Sequence, residues 1–485
     1  MIRSSIAARA RIALASALAM SLCGLSAGSS TAGDLVADRS KLTETYGAQL
    51  AALADALASE GLAAPADEVR GWLPERPANT ITLFSLPPRA PWSTPEPPVW
   101  LARFRTLREA QSEALFSLAK IAAQGDRGAL AMELALEAAR ENPDHAAARR
   151  LLGYLKKGDE WHRPFALRQL NAGKVWHPQF GWLPSAHVPR YEHGERSFQN
   201  RWISAEEDRR RHAEIDLGWQ IETANYQITT NHSLEEGVRL AERLEQFHDF
   251  WEILFIGYLE KPGQLAKRFS GAGSPPRDAR KHNVVYFRDR AGYNRALLPT
   301  QPQIEITLGF YSDRQQTAYF FAGEEQQAGL VYHEATHQLF QESRATAAAV
   351  GTSNNVWIAE GIACYWETLR EFEPGRYRIG GDDAGRLPAA RRRLLVDQFY
   401  TPLGELVGYG LDRLQHDPNI AKLYSESAGL ATFFMHYDQG RYRPALVKYL
   451  SAVYTGAASE ETLAKFCGQG YSDLDRQYRD FLSQP

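Results

Sequence analysis

Cysteine is scarce: the 485 residues contain three, Cys23, Cys364 and Cys467. Cys23 falls in an N-terminal stretch expected to be removed, and two thiols cannot make a disulfide scaffold. Burial must then hold the fold, and Cys364 and Cys467 are expected to stay unbonded. Long apolar runs are also missing. The longest, from Ile12 to Leu25, has about 14 residues, fewer than the roughly 20 that cross a bilayer. Nor is there an excess of charge of one sign, since 55 basic and 58 acidic residues are well mixed at a formal net charge of -3. That balance excludes a basic face for nucleic acid.

What the N-terminus does have is the order of a secretory signal. Arg3, Arg9 and Arg11 precede the apolar stretch, and small residues follow it. Residues 1–32 are read as a signal peptide cleaved near Ala32 or Ala27. Leu22 stands where a lipid anchor at Cys23 needs a small residue, so lipidation is not expected. The mature protein is expected in the periplasm or outside the cell, without a membrane span.

Leu42, Tyr46, Leu50 and Leu53 recur at helical spacing, which makes 33–86 a helical segment with a break at Gly61. Six prolines between Pro87 and Pro98 make 87–99 an extended linker. Residues 100–160 read as a helical hairpin, with one helix stopped at Asn142-Pro143 and the next started at Asp144. Its alanine-rich turn resembles a tetratricopeptide unit, without a 34-residue self-repeat, and such a hairpin can dock a protein partner or simply fill space. Five of eleven tryptophans lie from Trp161 to Trp219, so 161–217 is read as a compact, irregular or β-rich module whose aromatics fill a core more readily than they form a ligand platform. His177, His187 and His193 show no metal-ligand rhythm. From 218 to 485, strands at "YQITT", "HNVVYF", "QIEITLGFYSD" and "TAYFF" alternate with helices and lead into a mostly helical remainder.

The chemistry is concentrated in "VYHEATHQLF". Four residues of α-helix advance 400°, so His333 and His337 fall about 40° apart on one face and can bind one ion together. A catalytic zinc takes three protein ligands and leaves a position for water, and the glutamate between the histidines, Glu334, suits the base that deprotonates that water. The same five letters also arise by chance. A second block, "NNVWIAEGIACYWE", places Glu360 among Ile358, Ala359 and Ile362, where burying a carboxylate is costly unless a cation compensates it.

The two blocks together resemble the gluzincin zinc metallopeptidases, whose HExxH is followed by W-L-x-E-G-x-A; here the chain reads "WIAEGIA". The connecting loop is four residues longer than in the aminopeptidase branch, an insertion that a loop absorbs. The stretch from about residue 218 is similar to a family of secreted bacterial proteins with a peptidase-like domain. The resemblance implies Zn2+ held by His333, His337 and Glu360, Glu334 as the base, and Tyr424 as the hydroxyl that stabilises the oxyanion. Tyr424 lies 64 residues after Glu360 in "LYSESAGL", where Glu426 and Ser427 replace the lysine and glycine of the family pattern. The implied fold is α+β: a zincin-like domain with a small sheet lobe and a helical lobe, preceded by the helical and aromatic-rich regions.

The G-A-M-E-N strand that anchors a free amine in aminopeptidases is absent; "TAYFFAGEEQQAG" stands there. "TAYFF" is then expected as an edge strand that pairs with an extended peptide. Glu324 and Glu325 are more readily exposed loop carboxylates than an amine anchor. These features favour an endopeptidase acting on peptides or proteins. The competing readings are a non-catalytic envelope protein with a structural metal site, and a metal-dependent hydrolase of a non-peptide amide or ester.

Overall fold

Leucine and alanine at helical spacing build most of the first part of the chain. In the computed structural model, which describes residues 32–90, 96–125, 127–261, 263–271, 280–323, 328–348 and 350–484, helices occupy Ala32–Ser59, Ala63–Arg70, Val99–Gln124, Gly128–Glu141 and Ala146–Leu151. Gly61 breaks the first pair with φ +80°, a left-handed backbone that favours glycine. His145, rather than Asp144, caps the last helix, its Nδ1 accepting from the Ala148 amide at 3.1 Å. The signal stretch up to residue 31, linker residues 91–95, and Glu324 and Glu325 lie outside the described residues. Among the described residues no helix is long and apolar enough to cross a membrane.

The chain divides into two compact units. One comprises Met1–Arg76, Phe84–Trp161 and Glu260–Pro275, the other Pro77–Leu83, His162–Leu259 and Pro276–Pro485. In the first, Tyr46, Leu50, Leu57, Val69 and Phe104 form an apolar core. Beside it the helix Gly128–Glu141 buries Glu133, Glu137 and Glu141, four residues apart on one face. Arg39 and Arg76 pair with Glu137, while Arg108 and the hydroxyl of Tyr46 bond Glu141 at 3.3 and 2.8 Å. Burial pushes the Glu137 carboxyl up, but the two guanidinium groups more than reverse this and hold it at about 2.

The tryptophan-rich stretch is more regular than its composition implies. Three β-hairpins follow one another, Leu155–Lys157 with Glu160–His162, Lys174–His177 with Gly181–Pro184, and Glu195–Phe198 with Arg201–Ser204. Each is succeeded by a short helix, at Pro164–Asn171, Val188–Glu192 and Ala205–Arg211. Trp161, Trp182 and Trp202 sit on the second strand of successive hairpins, 21 and 20 residues apart. In the second unit Trp182 meets Trp176 edge-on at 5.6 Å, and Trp202 meets His187 at 4.8 Å, so these aromatics pack on near neighbours.

The second unit is mixed α and β with small sheets, an α+β arrangement. Its five-stranded sheet runs, in spatial order, Phe310–Ser312, Thr317–Phe321, His282–Phe287, Tyr226–Thr230 and Trp219–Glu222. The central strand is parallel to both neighbours, and the two outer strands are antiparallel. "TAYFF" is therefore not an edge, because strands flank it on both sides; the edge strand on its side of the sheet is Phe310–Ser312 and the other is Trp219–Glu222. The rest of the expected "QIEITLGFYSD" strand is a 3-10 turn at Ile304–Ile306, with Ile306 79% exposed. A further strand at Thr80–Phe84, inside the segment read as helical, joins the hairpin Arg370–Glu373 and Arg376–Gly380 in a three-stranded sheet.

Two helices carry the site. The histidine helix, Ala328–Glu342, buries Val331, Leu339 and Phe340 against an aromatic core in which Phe340 contacts Trp251 and Phe255, each at 5.1 Å. Each such side chain contributes about 1.5 to 3 kcal/mol on burial. The glutamate helix, Val356–Trp366, is buried almost all round, with Trp357, Ile358, Ile362 and Trp366 fully enclosed.

Candidate metal centre

His333 and His337 project from one face of the histidine helix with ring centroids 5.0 Å apart. Their Nε2 atoms are 3.3 Å apart, and Glu360 Oε2 from the glutamate helix lies 3.6 Å from one and 3.8 Å from the other. The last two separations are too long for hydrogen bonds. Ligand atoms set about 2.0 to 2.1 Å from a tetrahedral ion are about 3.3 Å from each other, which is close to this arrangement. The three donors thus form a group able to hold a metal ion. Two imidazole nitrogens and a carboxylate oxygen suit a borderline divalent cation such as zinc.

The orientation of His333 is fixed from behind. Its Nδ1 lies 2.8 Å from Glu367 Oε1, so Nδ1 donates to the carboxylate and Nε2 is the nitrogen that faces the site. Arg386 holds Glu367 through Nε and Nη2 at 3.3 and 3.1 Å. Glycine makes this approach possible: a Cβ on Gly329, near the start of the histidine helix, would sit 2.8 Å from the Glu367 carbonyl oxygen. No motif in the sequence singles out Glu367, although Glu360, Cys364 and Glu367 are spaced i, i+4 and i+7 on one helical face. Nothing in the sequence marks Arg386.

His333, Cys364 and Glu367 also lie close enough to be considered as a metal-holding group. Burial pushes the Cys364 thiol up, which keeps it from being a thiolate, and Glu367 is already paired with Arg386. That set is the poorer seat for a cation. Cys364 and Cys467 are both free thiols.

Glu334 stands beside the histidines, and its charge is felt by His337. Its Oε2 accepts from the backbone N–H of Tyr311 on the edge strand at 2.9 Å, and a Cβ on Gly309 would lie 3.0 Å from Glu334 Cγ. The base candidate is therefore held by backbone on its outer side. Tyr424 arrives from the helix Ile420–Gly440 into the neighbourhood of the Glu360 carboxylate. Burial pushes the Tyr424 phenol up, and the Glu360 charge adds to this. Arg386 lies over the Tyr424 ring at 5.7 Å.

The "EG" of the second block has a steric reason. A Cβ on Gly361 would sit 2.4 Å from the Ser427 carbonyl oxygen, so only glycine lets the tyrosine-bearing helix close on the glutamate helix. Glu426, at the family's lysine position, turns instead to the Thr401 amide at 3.0 Å. All five residues singled out in the sequence, His333, Glu334, His337, Glu360 and Tyr424, thus belong to one cluster within the second unit. Comparison of the chain with models of known protein families and with curated proteins finds no match.

Proposed function

We propose that the second unit is a gluzincin-type, zincin-like metallopeptidase that hydrolyses peptide bonds, with His333, His337 and Glu360 holding one zinc ion. The observation that carries this reading is the convergence of these three donors beside Glu334 and Tyr424. When bound, the cation supplies Lewis-acid polarisation and lowers the pKa of a water.

The remaining work falls to side chains. Glu334 accepts the proton of the attacking water and returns it to the departing amine, a general base that becomes a general acid. Tyr311 N–H holds one carboxylate oxygen, leaving the other to face the reaction. The Tyr424 hydroxyl donates to the carbonyl oxygen as charge develops there, which is where a fixed donor contributes most. Glu367 and Arg386 keep His333 in the tautomer and orientation that binding requires. The edge strand Phe310–Ser312, whose Tyr311 amide bonds Glu334, runs beside the base, and the missing G-A-M-E-N anchor favours internal cleavage.

The secretory-signal order of residues 1–32 supports an activity outside the cytoplasm. Incubating the protein lacking residues 1–32 with a diverse peptide library, read by mass spectrometry, tests the reading. Internal cuts that disappear with chelator and in Glu334→Gln are expected. No chelator-sensitive cleavage of any peptide would contradict it.

A further inference from the structure

The histidine helix carries a second line of polar residues. Glu334, Gln338 and Glu342 are four residues apart and form one row on its surface. Each member is bonded to the sheet. Glu334 takes the Tyr311 amide of the edge strand, Gln338 Nε2 donates to the Asn283 carbonyl at 2.9 Å, and Glu342 Oε2 lies 2.7 Å from His282 Nδ1. Gln338 also donates to Glu342 Oε1 at 3.1 Å. The last two rungs are deep: Gln338 is fully buried, and the side chains of His282 and Glu342 are 5% and 3% exposed.

Polar groups at this depth are costly, and apolar side chains of similar volume would seat the helix as firmly or more so. Apolar contact is not directional, however, and leaves a helix free to roll. Hydrogen bonds do not. A ligand nitrogen about 6 Å from the helix axis moves about 1 Å for each 10° of roll, whereas a metal site tolerates about 0.2 Å.

We propose that Gln338, Glu342 and His282 are positioning residues that fix the roll of the histidine helix, so that both imidazoles and Glu334 point to one place. The inference rests on the metal reading above. It assigns these buried polar residues to the precision of the centre rather than to stability.

The test is zinc affinity, measured by competition with a chromophoric chelator on the full mature chain, beside denaturant unfolding of the same proteins. Glu342→Leu leaves the buried His282 and Gln338 donors without this acceptor and should lower the unfolding midpoint, and in the folded protein it should weaken zinc binding about 10- to 100-fold, more than the lost stability accounts for. Glu342→Gln, which keeps an acceptor for His282, should bind within about threefold of wild type. Gln338→Met leaves the His282–Glu342 pair in place and provides the reading should Glu342→Leu not fold; its affinity should also fall. Wild-type affinity in the folded apolar variants would overturn the inference and leave the metal centre standing. A loss of affinity that only tracks lost stability would overturn it too. Absence of zinc binding by the wild type would overturn the metal reading and this inference together.

Discussion

Glu367 holds His333 from behind, 2.8 Å from Nδ1, and Arg386 holds Glu367. The three make a chain in which a guanidinium fixes a carboxylate and the carboxylate fixes an imidazole. Such outer partners set ligand orientation and basicity. Glu367→Ala is therefore expected to lower zinc affinity about 10- to 100-fold, and Glu367→Gln by less. Chelator competition measures this; unchanged affinity in a folded Glu367→Ala protein would show that His333 needs no such support.

Tyr424 stands near the Glu360 carboxylate in the resting site. As an oxyanion donor it acts mainly in the transition state, so Tyr424→Phe should lower turnover by about 10² to 10³ and hardly change KM. The ring stays and only the hydroxyl goes. Near-normal turnover in the zinc-loaded variant would restrict Tyr424 to packing and to the ligand Glu360.

Much of this centre was legible in the sequence because helix geometry is local. His333 to His337 is one turn, and Glu360 announced itself as a carboxylate in an apolar helix. Which residues stand behind the ligands was less visible. Glu367 follows the same helical face, but Arg386 and Tyr311 reach the site only through tertiary folding. "TAYFF" reads as an edge strand, yet it lies inside the sheet, because strand order depends on what pairs on either side and not on the strand's own letters. The three tryptophan hairpins are not legible in the sequence because their period of 20 to 21 residues is carried by one aromatic per unit and little else.

Gly361 sits against the Ser427 carbonyl with room for hydrogen alone. Gly361→Ala should cost about 1 to 3 kcal/mol through overpacking, read from the unfolding midpoint in denaturant. It should also part the two helices and reduce the effect of Tyr424. Stability equal to wild type would mean that the helices separate without cost.

Glu426 gives the pH dependence of the fold a definite sign. Burial pushes its carboxyl up to about 8, although the Thr401 amide opposes this. The folded state then keeps a proton that the unfolded state releases above about 4.5. Its contribution to stability is complete below the unfolded pKa and is lost as pH rises through the folded one. The loss is on the order of 5 kcal/mol across that window. Glu426→Gln should flatten the fall in unfolding free energy between about pH 4.5 and about pH 8; equal slopes in the two proteins would contradict the assignment.

The central claim is that His333, His337 and Glu360 hold one divalent cation. Elemental analysis of the purified mature protein after exhaustive dialysis measures it directly. About one zinc per chain is expected from a three-ligand site, with none in the folded His333→Ala, His337→Ala double variant. A folded wild type that takes up no zinc, or a double variant that retains it, would contradict the account.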